Sequence, residues 1–99
     1  MYRSLSMYPK SADPSQVDEV VRRSTAVFRR SPGFRSCTSS VDALMGPGAK
    51  AGELARVVVV DFDTLEDALG ALKSKDFEAV KTASEQLGPT HYLFECREL

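Results

Sequence analysis

A two-layer α+β fold with the element order βαββαβ is what the 99-residue sequence predicts. Three observations carry the prediction. Polar and apolar residues alternate at both ends of the chain, the period of a strand whose two faces differ. Two stretches of helical period each open on a capping signal. Between them stands Val57-Val58-Val59-Val60, an apolar run that shows water neither face.

Residues 2–8 form the first strand, with Arg3, Leu5 and Met7 on one face and Tyr2, Ser4, Ser6 and Tyr8 on the other. Asp13-Pro14-Ser15-Gln16 then starts a helix. Asp13 is its N-cap, Pro14 takes the first helical position and Gln16 closes a capping box. Val17, Val20, Val21, Ser24 and Phe28 make one stripe of this helix. Asp18 with Arg22 and Glu19 with Arg23 are spaced as i,i+4 ion pairs on its wet face, and Pro32-Gly33 ends it. Residues 34–44 are rich in Ser, Thr and Val without a helical period, which predicts a weakly buried edge strand. Residues 46–52, Gly46-Pro47-Gly48-Ala49-Lys50-Ala51-Gly52, read as a hairpin loop. The loop lacks the G-x-x-x-x-G-K-[ST] spacing and no helix follows it, so it is no phosphate loop.

The valine run belongs to a third strand over residues 54–62. Thr64 opens the second helix, whose inward stripe is Leu65, Ala68, Leu69 and Leu72. Asp61 and Asp63 are expected to serve the positive end of its dipole. Asp76 begins a further helical segment carrying Phe77, Val80 and Leu87, and Gly88-Pro89 ends it. The last strand spans residues 90–97, with Tyr92, Phe94 and Cys96 on one face and His91, Leu93, Glu95 and Arg97 on the other.

Two right-handed β-α-β crossovers in one antiparallel sheet give a ferredoxin-like topology, sheet order 4-1-3-2, with helices on one face. The valine run on a central strand then needs a cover on its other face. A second copy of the chain, packed sheet against sheet, supplies it, so a homodimer is expected. The same order puts Cys37 and Cys96 at opposite edges, three strand spacings or roughly 14 Å apart. A disulfide needs Cα atoms within about 7 Å, so the pair is not expected to be bridged.

The length allows one domain over residues 1–99, and such a chain buries only about 60–65% of its unfolded surface, a reason to borrow core from a partner. With 13 basic against 14 acidic residues the net charge is −1, which offers no bulk attraction to phosphate backbones or anionic lipid. No nucleic-acid or membrane partner is therefore expected. The first residues alternate instead of forming an apolar signal core, and no apolar run approaches a membrane span, so a cytoplasmic location is expected. One histidine and two cysteines at no metal-ligand spacing predict no metal site.

His91 is the one side chain that titrates near neutrality unperturbed. It is the candidate catalytic residue, taking a proton from an acidic phenol or polyketide or bonding a ligand carbonyl, as against a strand-end histidine bonded to backbone. Tyr2 and Tyr8 flank Ser4 and Ser6 on one face of the first strand. Together with Phe28, Phe34 and Phe77, expected to converge beneath the helices, they are the candidate ligand-binding residues; the competing reading makes them plain core and interface anchors. Arg22-Arg23 and Arg29-Arg30 read as a solvated basic face beside Asp18 and Glu19. An RNA-recognition motif would need aromatic residues on the middle of the third strand, where Arg56-Val57-Val58-Val59-Val60-Asp61 has none.

Beyond the element order, three local patterns resemble the dimeric α/β-barrel superfamily, which includes EthD-like, antibiotic-biosynthesis-monooxygenase-like and stress-responsive A/B-barrel proteins. Ser31-Pro32-Gly33-Phe34 looks like the "PGF" turn into strand two. Val60-Asp61-Phe62-Asp63-Thr64-Leu65-Glu66-Asp67-Ala68 is similar to the "F-x-[ST]-x-E-x-A" step into helix two. Leu72-Lys73-Ser74-Lys75-Asp76-Phe77 looks like "L-x-S-x-x-F" before the final helical segment. The resemblance implies homodimers whose sheets pack into a barrel and a small hydrophobic or aromatic molecule held between sheet and helices. It implies either cofactor-independent monooxygenase-like or EthD-like chemistry with no bound cofactor, or a non-catalytic stress-responsive dimer module. Haem-degrading members use an Asn, Trp and His set, and this chain has no Trp and no Asn.

Overall fold

The computed structural model describes residues 1–41 and 54–99. Its elements are β1 (Tyr2–Pro9), α1 (Pro14–Arg29), β2 (Phe34–Ser39), β3 (Leu54–Phe62), α2 (Leu65–Leu72), α3 (Lys75–Glu85) and β4 (Thr90–Glu95). The strands form one antiparallel sheet in the order β2-β3-β1-β4, which is the expected 4-1-3-2 read from the other edge. The strand expected over residues 34–44 ends at Ser39. Its continuation past residue 41 and the loop over residues 45–53 lie outside the described residues. β4 stops at Glu95 rather than Arg97, although the Cys96 N–H still donates to the Met1 carbonyl at 2.8 Å.

Each helix begins where a side chain can satisfy its free N–H groups. The Asp13 carboxylate accepts from the Ser15 and Gln16 N–H groups and from the Ser15 hydroxyl, whose hydrogen bond is the main reason its pKa falls below the ordinary 3.8. Gln16 takes part through its backbone, and among the described residues its side chain returns no bond, so the capping box is one-sided. Thr64 Oγ1 accepts from the Asp67 N–H at 3.1 Å. Ser74 Oγ accepts from the Phe77 N–H at 3.2 Å, so α3 starts at Lys75, one residue before the expected Asp76. The Thr64 and Ser74 caps give a physical reason for two of the local sequence patterns noted above.

The helices cover the sheet face that carries Tyr2, Ser4, Ser6 and Tyr8 of β1, Val58, Val60 and Phe62 of β3, and His91 and Leu93 of β4. Val17, Val20, Val27 and Phe28 of α1, Ala68 and Ala71 of α2 and Val80 of α3 complete the core. Phe62 is fully enclosed and meets Phe28 edge to face, with ring centroids 6.0 Å apart. On β2 the register shifts between Phe34 and Ser36, leaving Arg35 as the extra residue of a bulge. Phe34 and Cys37 are an odd number of residues apart, and the bulge is what lets both pack on the core side.

Three expectations change. Leu65 is exposed, and the α2 stripe is completed by Ala71 instead, because the helix presents its small residues to the sheet. The i,i+4 pairs on α1 do not form: Glu19 binds Arg22 at 2.7 Å, Asp18 pairs across elements with Arg56 of β3, and Arg23 donates to the Ala79 carbonyl. Asp61 and Asp63 do not serve α2. Asp61 lies on the sheet face away from the helices, opposite Arg3, and Asp63 pairs with Arg35 at 3.3 Å.

That uncovered face is built from Leu5 and Met7 of β1, Val57 and Val59 of β3, and Tyr92 and Phe94 of β4. Tyr92 is 55% and Phe94 40% exposed. Cys37 on β2 and Cys96 beyond β4 stand at opposite edges of the sheet, and both are free thiols.

Candidate active site

Between the helix-covered face of the sheet and the helices the core leaves a cavity of about 390 Å³. Its size is within the range of small-molecule pockets. Val58 and Val60 of β3 and Leu93 of β4 form the floor; Val21 and Phe28 of α1 and Phe77 of α3 form the opposite wall. The Phe28 and Phe77 rings lie 5.0 Å apart and tilted by 33°, so they build one aromatic side of the cavity. The strand period explains the polar groups within it. Alternate residues of β1 share a face, so Ser4, Ser6 and Tyr8 all point to the helices, and all three line the cavity.

Two of these hydroxyls are already bonded. Tyr8 is buried, and its phenol oxygen lies 2.9 Å from Ser84 Oγ on α3, closing one end of the cavity. Ser6 Oγ lies 2.7 Å from His91 Nδ1. The pairing follows from register, since Ser6 and His91 face each other across the β1–β4 ladder. His91 stands at the cavity mouth with Lys73, Lys81 and Glu85 nearby along the rim. Partial burial against the cavity wall lowers the His91 pKa from its ordinary 6.5, opposed by the charge of Glu85. The shift favours the neutral imidazole. When Nδ1–H donates to Ser6 Oγ, Nε2 is left as a lone-pair acceptor, and the same bond persists after Nε2 gains a proton.

Of the residues singled out in the sequence, His91, Tyr8, Phe28 and Phe77 line one cavity. Tyr2 and Phe34 do not. Both pack against the core, and Phe34 sits beneath the Arg29 guanidinium, 5.8 Å from the ring centre. Sequence reasoning missed Ser84, although it continues the Phe77 and Val80 stripe at helical spacing. It named Ser6 only for its face, because the partner that matters to it, His91, is 85 residues away. Among the described residues no cluster of His, Cys, Asp and Glu is placed to hold a metal, and no helix is long and apolar enough to cross a membrane.

No protein-family profile matches the sequence, and no curated protein matches it significantly. Solved structures do. SnoaB, a cofactor-independent oxygenase from Streptomyces nogalater, is 21% identical and superposes with a TM-score of 0.78 over 99% of this chain and 94% of its own. An ethyl tert-butyl ether degradation (EthD) family protein from Bacillus halodurans is 16% identical, with a TM-score of 0.74 over 98% of this chain and 99% of its own. A dimeric ferredoxin-like protein of unknown function from Thermobifida fusca is 16% identical, with a TM-score of 0.69 over 96% and 90%. At these identities the likeness is one of fold: the chain shares the ferredoxin-like α+β fold of these structures.

Proposed function

We propose that the protein is a homodimer that binds a small hydrophobic or aromatic metabolite between sheet and helices and acts on it as a cofactor-independent oxygenase-like enzyme. The observation that carries this reading is the mainly apolar cavity of about 390 Å³ with His91 among its lining residues, its ring bonded to Ser6. A non-catalytic dimer module would be favoured by a space filled with aromatic side chains and a histidine outside it. Phe28 and Phe77 instead stand at the wall and leave the space open.

In this reading His91 Nε2 takes the proton of a bound phenol or of an activated ring C–H, and the Ser6 bond at Nδ1 holds the ring in place through the transfer. The resulting anion is electron-rich and sits in an apolar enclosure, where it reacts with dioxygen directly. A ring CH₂ becomes a carbonyl, the second oxygen atom leaves with the two hydrogens as water, and no cofactor is needed for the balance. The likeness in fold to a cofactor-independent oxygenase supports the reaction class. Leu5, Val57, Val59 and Phe94 on the open sheet face support the dimer, as does the dimeric state of the Thermobifida fusca neighbour.

The test is oxygen uptake with anthrone and with a panel of phenols, run on the protein and on His91→Ala. Uptake that depends on both substrate and His91 is expected. A panel that neither raises the melting temperature nor consumes oxygen overturns the reading.

A further inference from the structure

The cavity holds a second polar point that the chemistry at His91 does not use. Ser4 is 8% exposed, lies on the cavity floor and faces apolar partners, Val60 and Leu93, across both neighbouring strands. Its hydroxyl makes no hydrogen bond among the described residues. Every side-chain nitrogen or oxygen there that is sealed from solvent does have a partner. The Ser4 oxygen is therefore not sealed, and the open space beside it is the cavity. Ser24 on α1 likewise makes no hydrogen bond among the described residues, but it is only half-buried. A hydroxyl on the cavity floor with no protein partner is completed by cavity water or by a ligand oxygen, so Ser4 is a point where a ligand oxygen can take the place of water.

Ser4 and Ser6 are alternate residues of one strand, which sets their positions about 7 Å apart. Ser6 carries His91. We infer that Ser4 is a specificity residue and that the ligand is an aromatic with two oxygens, one phenol or ring carbonyl oxygen on Ser4 and a second, ionisable oxygen at His91. This rests on the cavity being the ligand site, as proposed above. The ring body lies between the aromatic wall of Phe28 and Phe77 and the floor of Val58, Val60 and Leu93.

The experiment is calorimetric titration of naphthalene-2,6-diol and 2-naphthol into the full chain, into Ser4→Ala and into the near-isosteric Ser4→Cys. In the unaltered protein the diol is expected to bind about tenfold more tightly than the mono-alcohol, the effect of one further satisfied hydrogen bond in an apolar site. In both Ser4 variants that ratio falls to about one, while 2-naphthol keeps its affinity within about threefold. His91→Ala abolishes the ratio as well, because either end alone satisfies a mono-alcohol. A ratio of one in the unaltered protein, or a ratio unchanged by both Ser4 variants, overturns the inference while leaving the cavity as a ligand site. No binding of either compound to the unaltered protein overturns the ligand-site reading and the inference together.

Discussion

Arg3 grips Asp61 through two hydrogen bonds, Nε to Oδ1 at 2.8 Å and Nη2 to Oδ2 at 3.1 Å, on the sheet face that no helix covers. The Ser36 hydroxyl adds a third at 3.3 Å. Asp61 is 6% exposed, so its charge depends on these partners. The Arg3 hydrogen bonds are the main reason its pKa lies below the ordinary 3.8. A depressed carboxylate contributes stability that is present above 3.8 and is lost as the pH falls through the lowered value. Asp61→Asn is accordingly expected to destabilise the protein by roughly 1–3 kcal/mol at pH 7. Urea titrations of both proteins should show the gap narrowing below pH 3.8; a constant gap would mean that charge is not what Asp61 supplies.

The same face is the proposed dimer surface. Leu5 and Val59 sit directly opposite each other at its centre, with Tyr92 on the far side of Leu5. A charge placed there must be desolvated against a partner sheet but stays wet in a monomer. Val59→Lys is expected to give a folded monomer by light scattering coupled to gel filtration, and the unaltered chain is expected to elute as a dimer. A monomeric unaltered chain, or a Val59→Lys protein that stays dimeric, counts against this surface.

His91 titrates below 6.5 because partial burial disfavours its charged form. A histidine depressed in this way contributes stability above 6.5 that disappears as the pH falls through its folded pKa, and the base at Nε2 is lost over the same range. Oxygen uptake should therefore hold at pH 7 and decline on the acid side of 6.5. A proton NMR titration of the imidazole gives the value directly. A midpoint at or above 6.5 would show that the ring is not desolvated by the cavity.

Gly33 turns the chain from α1 into β2 at φ +74°, and its carbonyl accepts the Asp63 N–H at 2.8 Å. A Cβ at this position would run into the Asp67 carboxylate at the start of α2. Gly33→Ala thus combines a left-handed backbone that non-glycine residues resist with a steric clash, and should cost about 1–3 kcal/mol in chemical denaturation. Gly70, where an added Cβ meets nothing within 4 Å, is the control: Gly70→Ala in the middle of α2 should leave stability unchanged or raise it by about 0.5–1 kcal/mol.

Phe62 is the largest fully enclosed side chain among the described residues and packs edge to face with Phe28. Phe62→Ala should lower unfolding free energy by about 3–5 kcal/mol. Phe34→Ala, at a half-exposed ring under Arg29, should cost clearly less.

The alternating strands, the N-caps at Asp13 and Thr64 and the valine run were enough to give the element order, the sheet order and the face that lacks a cover. These are local signals, because strand period, capping and burial of a short run depend on neighbours within a few residues. The same locality explains the misplacements. Asp18 and Glu19 are spaced for partners along their own helix, but Asp18 pairs with Arg56 of β3. Local spacing makes Asp61 a helix-end charge, and the β1–β3 register gives it to Arg3 instead. Phe34 matches Phe28 and Phe77 in type, but the β2–β3 register sets it opposite Phe62, outside the cavity lining.

The sequence by itself determined the fold, the aromatic residues that wall the cavity and the identity of the one neutral-pH titrating group. Tertiary structure decided what those groups can do. Only the ladder that joins β1 to β4 brings Ser6 to His91, and only the stacking of α3 on the sheet brings Ser84 to Tyr8. Hydrogen bonds between side chains far apart in sequence depend on register and on how layers dock. Those are properties of the assembled sheet and helices, and no local pattern of residues encodes them.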